Sequence, residues 1–131
     1  NVILPQDKPR YWMGGGQPHE IVEYVKRGCD MFDCVLPTRN ARHGTLYVWN
    51  DASLLGTSPD FYELLHITNE RHTTDAAPID ATCGCFTCTH HSRAYVRHLF
   101  SVDEPLAQRL ATIHNVFFYQ DLMRKIREGI H

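Results

Sequence analysis

Three cysteines, Cys83, Cys85 and Cys88, stand at C-x-C-x-x-C spacing in a chain of 131 residues. Thiolates so spaced can converge on one borderline-soft cation, and zinc takes four such ligands in a tetrahedron. The competing reading is a set of buried thiols without a metal. The chain has five cysteines, an odd number with three in one cluster, which suits a metal site in a reducing compartment better than a disulfide framework. A fourth ligand is then needed. His90 and His91 follow Cys88 so closely that the chain would have to double back, whereas His114 falls on a predicted helix, four residues after Leu110 on its inward face. By spacing alone His114 is either that ligand or a core histidine. Four protein ligands leave no open coordination position, so such a zinc is structural and generates no hydroxide. Cys29 and Cys34 lie in a predicted strand region, where a cysteine is by default a small buried hydrophobe.

Asp33 is the second residue with chemical potential. It is flanked by Phe32, Cys34, Val35 and Leu36, and a carboxylate in such a run is costly to bury unless something pairs or uses it. Strand alternation puts Met31, Asp33 and Val35 on one face, and a buried ion pair with Arg39 or Arg42 is the bland alternative to a nucleophile. The following segment, Thr38 to Gly44, reads as a polar, cationic loop whose guanidinium groups can grip phosphates near the carboxylate. Two arginines in a loop are, however, commonly just solvated surface.

The elements that must carry these groups follow from pattern. Arg10 to Met13 reads as a strand running into an open turn at Gly14, Gly15 and Gly16. Pro18 suits the first turn of a helix; Ile21, Val22, Tyr24 and Val25 recur at helical spacing until Gly28. Cys29 to Leu36 reads as a second strand closed by Pro37, completing a βαβ unit with a parallel crossover. In sheets built from such units, sites gather beyond the C-terminal strand ends, and both the glycine turn and Asp33 to Asn40 fall there. Thr45 to Trp49 reads as a strand, and Phe61 to Ile67 as a short element within a polar stretch from Asn50 to Ala77. Ser92 can cap a helix through Tyr95, Val96 and Leu99, and Asp103 with Pro105 opens another. In that last helix Leu106, Leu110, Ile113 and Phe117 form a stripe continued by Phe118, Leu122 and Ile126, read as core-facing.

Composition narrows the class without naming it. The chain is 43% hydrophobic and 21% charged, with formal net charge -2, a profile of a globular domain rather than a broadly basic nucleic-acid binder. No apolar run is long enough to span a bilayer. Asn1 to Arg10 lacks the sections of a secretory signal, and a first residue other than Met suggests an internal cut.

The run Asp30-Met31-Phe32-Asp33-Cys34-Val35-Leu36-Pro37-Thr38-Arg39-Asn40-Ala41-Arg42 resembles the signature of bacterial-type tRNA-guanine transglycosylases. Met13-Gly14-Gly15-Gly16, the cysteine cluster, Ser92-Arg93-Ala94-Tyr95, Thr112-Ile113-His114-Asn115 and Tyr119-Gln120-Asp121-Leu122-Met123 extend the resemblance over nearly all of the chain except about 50–77. It implies an α/β fold: the C-terminal strands and helices of a (β/α)8 TIM barrel with a zinc-binding subdomain. Residues 1–50 would be the last βαβ portion with the nucleophile loop, 51–77 a variable insertion, and 78–131 the zinc-binding subdomain with C-terminal helices.

The implied activity is that of a cytoplasmic, homodimeric pentosyltransferase that exchanges the wobble guanine of tRNA for a 7-deazaguanine queuosine precursor. Asp33 matches the nucleophile that forms a covalent bond to ribose, as retaining glycosidases do. Met13 matches a residue packing on the base, with Gly14 beside it allowing close approach. Arg39 and Arg42 match tRNA-backbone contacts, Cys83, Cys85, Cys88 and His114 match the ligands of a structural Zn2+, and Asn115 is expected at a helix start. Departures are Gly15, where the family often has a larger residue, His43, where it commonly has Asn, and the long segment 50–77. A full barrel needs about 250 residues, so this chain is expected to be about its last quarter, inactive alone, with the general acid/base and base-recognising carboxylates elsewhere. The alternative is a non-catalytic zinc-containing module that binds tRNA or dimerises.

Overall fold

A computed structural model describes residues 3–130; Asn1, Val2 and His131, the outermost ends of the first and last expected segments, lie outside the described residues. The first unit is β1 (Tyr11–Met13), α1 (Pro18–Lys26) and β2 (Met31–Asp33). The two strands pair in parallel with Tyr11 opposite Met31, Trp12 opposite Phe32 and Met13 opposite Asp33, so the expected βαβ crossover is present. Pro18 sits at the start of α1, and Gln17 and Glu20 form a reciprocal cap in which the Glu20 carboxylate accepts from Gln17 N at 3.1 Å. Such a cap satisfies two otherwise orphaned donors. Gly28 ends the helix region at φ +90°, a conformation that costs any L side chain. Between helix and sheet lie stacked aromatics, with ring centroids 4.7 Å apart for Trp12 and Tyr24 and 6.2 Å for Tyr24 and Phe32.

Two expectations fail in the next segment. The second strand does not run from Cys29 to Leu36 but stops at Asp33, and Thr38 to Gly44 is not a loop: Leu36–Arg42 is a helix, α2. Pro37 is the reason. It reads as a strand terminator, but its fixed φ and missing N–H fit equally well the first turn of a helix, where no donor is required. The alternation argument also fails in its conclusion. Met31 and Asp33 share a strand face, whereas Val35 lies beyond the strand in αR backbone at the start of α2; Met31 is 51% and Val35 60% exposed, because α1 covers only the opposite face of the two-stranded sheet. Asp33 is exposed, and among the described residues no cation pairs with it, so the buried ion pair is ruled out.

The remainder is built on an antiparallel hairpin, β3 (Thr45–Trp49) with β4 (Tyr62–His66). The expected element at Phe61 to Ile67 is thus a strand. Between 50 and 77 the chain also forms short 3-10 turns at Ala52–Leu54, Pro59–Phe61 and Glu70–His72. Strand β3 is buried on both faces. Leu46 and Val48 enter one core with Leu65, Ile67, Val96, Leu110 and Ala111, while Tyr47 enters another with Ile21, Phe61, Phe118 and Leu122. This division follows from the period of two along a strand.

Three helices close the structure: α3 (Phe86–His90), α4 (Arg93–Ser101) and α5 (Pro105–Ile130). Ser92 caps α4 as expected, accepting from Tyr95 N at 3.1 Å. Helix α5, 26 residues long, crosses both cores. Its buried line is Ala107, Leu110, Ala111, His114, Asn115, Phe118, Tyr119, Leu122 and Ile126. The expected stripe is therefore half right. Leu106 and Ile113 lie on the shoulder of the helix and Phe117 is 40% exposed, since the polar residues His114 and Asn115 take the inward positions instead. Asn115 is in mid-helix, not at a helix start.

Fully buried Asn115 uses its whole amide: Oδ1 accepts from Tyr47 N at 3.1 Å, and Nδ2 donates to Pro37 O and Thr45 O, each at 3.0 Å. It ties α5, α2 and β3 together. Asn115→Leu leaves one buried donor and two buried acceptors without partners, and we expect a loss of roughly 2–5 kcal/mol, read as a lower urea midpoint at unchanged m-value.

Candidate metal centre and active-site rim

Cys83 and Cys85 come from the loop before α3, Cys88 from α3, and His114 from α5. One ligand atom from each lies within 4.8 Å of every other. Nδ1 of His114 is 3.7 Å from Sγ of Cys83, 3.6 Å from Cys85 and 3.3 Å from Cys88. A tetrahedral zinc with ordinary Zn–S and Zn–N bond lengths separates sulfur from nitrogen by about 3.6 Å. The donor set and its dimensions fit zinc, so His114 is the fourth ligand rather than a plain core histidine.

The histidine is also fixed from behind. Nε2 lies 2.7 Å from Tyr47 O, and since a carbonyl only accepts, Nε2 carries the proton and Nδ1 presents its lone pair to the metal. Hydrogen bonds from the Cys83 and Cys88 thiols hold the Cys85 sulfur well below the ordinary thiol range. Cys88 N donates to that same sulfur at 3.3 Å, and Thr87 Oγ1 donates to Leu110 O at 2.7 Å, fastening α3 to α5. With His114 fully buried and Cys85 and Cys88 buried, the four groups would enclose an ion and supply all four positions of a tetrahedral zinc. The zinc is structural. His90 and His91 turn away, stacking on Phe86 and Tyr95 with centroids 4.2 and 4.9 Å apart.

The second group of predicted residues meets at the C-terminal ends of β1 and β2. Because Met13 and Asp33 are register partners in a parallel pair, the glycine turn and the carboxylate emerge side by side. Gly14 N donates to Asp33 Oδ1 at 3.1 Å, and the Tyr11 hydroxyl donates to Oδ2. Each oxygen is held by one donor and keeps further lone-pair capacity. Gly14 adopts φ +77°, which aims its N–H at the carboxylate and favours glycine there. Met13 projects into the open, 75% exposed. Burial pushes the thiol of neighbouring Cys34 up.

Arg39 and Arg42 lie one helical turn apart on α2, both exposed and neither in an ion pair among the described residues. Residues three apart share a helix face. The rim and the zinc centre are joined through α5, four residues beyond whose Asn115 the Tyr119 hydroxyl donates to Gly16 O at 2.7 Å. Sequence reading missed Tyr11 as a partner of Asp33. Its position two residues before Met13, on the same strand face, was the available signal. Asp80 was missed as well: buried, it accepts from Trp49 N at 2.9 Å and from Thr82 N at 2.8 Å, linking β3 to the cysteine loop.

From this geometry we expect one zinc per chain by elemental analysis, falling below about a tenth of that in Cys88→Ala. Stripping the metal with a chelator is expected to lower the melting temperature by at least about 10 °C, because metal binding here is folding free energy.

Comparison with known proteins agrees with the site. The model of the family described as queuine tRNA-ribosyltransferase matches residues 1–131. The queuine tRNA-ribosyltransferase of Psychrobacter cryohalolentis is 50% identical over 127 residues, 97% of this chain and 31% of that protein. Those of Vibrio campbellii and Thioalkalivibrio sulfidiphilus are each 49% identical over 127 residues, again 97% of this chain, and 30% and 31% of their own lengths. The chain thus spans under a third of the curated relatives it matches. With the signature residues, the Cys3His centre and this agreement along the whole chain, the chain belongs to the queuine tRNA-ribosyltransferase family.

Proposed function

We propose that the protein containing this chain is a tRNA-guanine transglycosylase that exchanges the wobble guanine of tRNA for a 7-deazaguanine precursor of queuosine. The observation that carries the reading is the pairing of Met13 and Asp33 at the ends of parallel strands, with the Gly14 N–H and the Tyr11 hydroxyl fixing the carboxylate. In this reading β1, α1 and β2 belong to a (β/α)8 barrel, whose active sites gather at that end of the strands. Residues 51–77 are a variable insertion and 78–131 the zinc subdomain with its C-terminal helices. The family's name speaks of queuine and tRNA; the substrate assignment rests on it and on this rim.

Asp33 is the nucleophile. The target nucleotide leaves its stack, and an Asp33 oxygen bonds to the ribose anomeric carbon as the bond from that carbon to the guanine nitrogen breaks. Guanine departs with a proton supplied by an acid outside this chain. The incoming 7-deazaguanine base then bonds to the same carbon, releases a proton to a base, and expels Asp33 as carboxylate. Two displacements at an oxocarbenium-like centre replace one difficult step, as with retaining glycosidases. Tyr11 and Gly14 hold the carboxylate in line, which is how positioning lowers a barrier. Met13 packs against the base, and the small Gly14 lets it approach. Arg39 and Arg42 grip tRNA phosphates, the zinc serves only to hold the fold, and the working enzyme is a cytoplasmic homodimer.

The test is exchange of labelled guanine into tRNA with a wobble guanine, using the full-length protein. Asp33→Ala is expected to reduce exchange by at least about a thousandfold and Tyr11→Phe to lower kcat about tenfold. Arg39→Ala is expected to raise KM for tRNA several-fold and flatten its salt dependence. Binding of tRNA without exchange in wild type and variants alike would instead indicate the non-catalytic zinc module.

A further inference from the structure

The turn that follows Met13 is walled on both sides. A Cβ on Gly15 would lie 2.4 Å from Nε1 and 2.8 Å from Cδ1 of Trp12, and a Cβ on Gly16 would lie 2.2 Å from Sγ of Cys34. Neither glycine has positive φ, so what these positions require is space. Gly14 is the reverse case, with φ +77° and nothing within 4 Å of its Cβ position. The walls are chain neighbours of the reacting groups: Trp12 immediately precedes Met13, and Cys34 immediately follows Asp33. Gly16 is further tied down by Tyr119. Gly15 faces the indole and, at 3.2 Å from its Cβ position, Cε2 of Tyr24.

Trp12 points away from Tyr11 and Met13, as alternation requires, and its ring stacks on Tyr24 at 4.7 Å. It is still 44% exposed, so full burial does not account for a residue this large. What its edge does is occupy the space where a side chain at position 15 would stand, and the two exclude each other at a 2.4 Å separation.

We propose that Trp12 is the positioning residue of the rim: its indole, clamped between Tyr24 and Gly15, sets the Gly14 peptide whose N–H holds Asp33. This deepens the transglycosylase reading and rests on it. The leverage is direct, because the Gly14 N–H reaches Asp33 Oδ1 at 3.1 Å and a shift of about half an ångström is enough to spoil a preorganised site.

The experiment is a double-mutant cycle in the full-length protein with Gly15→Val, Trp12→Leu and the pair. In the wild-type background Gly15→Val is expected to lower the melting temperature by about 5 °C, the order of an overpacking cost, and kcat for guanine exchange about tenfold at unchanged KM for tRNA. In the Trp12→Leu background it is expected to cost less than about 1 °C and less than about twofold in kcat. Equal losses in both backgrounds overturn the proposal, and so does coupling in melting temperature without coupling in kcat, which would make Trp12 merely structural. If the wild type shows no exchange, the transglycosylase reading fails on its own. The placement of Gly14 is then decided by its amide resonance, which moves in Gly15→Val and returns in the pair if Trp12 sets the turn, and stays displaced if it does not.

Discussion

The imidazole of His114 is bonded at both nitrogens in a fully buried place: Nδ1 faces three cysteine sulfurs, and Nε2–H meets the Tyr47 carbonyl. A buried imidazole with only one partner would be a liability, because the cost of desolvating the other nitrogen would go unanswered. With both partners it becomes a rivet between the metal and β3. Helix α5 is fixed in rotation and height at that point, and its other contacts follow. One residue on, Asn115 takes up the backbone of α2 and β3; one turn further, Tyr119 reaches Gly16 in the turn beside the carboxylate.

This chain of contacts gives the closed metal site a structural part to play. The zinc has no vacant position and cannot act as a Lewis acid on substrate. What it supplies is rigidity along α5, passed on through Asn115 to α2, which presents Arg39 and Arg42, and through Tyr119 to the glycine turn. The two cores meet along the same helix, one around Leu110 and Ala111 and the other around Phe118 and Leu122. A loss of metal therefore disturbs the hairpin and the rim as well as the cysteine loop.

The rim itself stands in the open. Tyr11, Met13, Met31 and Val35 are all more than 40% exposed. The described residues contain one parallel strand pair and no closed barrel, and the curated relatives are more than three times as long as this chain. Phenols deeper in the fold are not rivals for acid–base work: burial pushes Tyr47 up, Tyr62 up to about 12, and Tyr119 well above the phenolic range. At the rim the carboxylate of Asp33 is exposed and held by Gly14 N and the Tyr11 hydroxyl.

The sequence by itself determined three of the four metal donors, because C-x-C-x-x-C spacing brings three thiolates together, and it determined the βαβ unit, because Pro18, Gly28 and the helical period between them act locally. It placed Asp33 and Met13 on neighbouring strand ends for the same reason. It could not decide between strand and helix after Asp33, since Pro37 ends one and begins the other with equal ease. Nor could it tell that the Asp33 face stays open, since burial depends on what packs above a strand and not on the strand's own pattern. His114 was ambiguous between ligand and core residue until the fold placed its Nδ1 at ligand distance from three sulfurs. Tyr11, Asn115 and Trp12 acquire their roles only in three dimensions, where hydrogen bonds and close approaches span 22, 70 and 3 positions of chain. Alternation put Tyr11 on the face of Met13, but the pairing of β1 with β2 and the packing of α5 and α1 against the strands create these contacts.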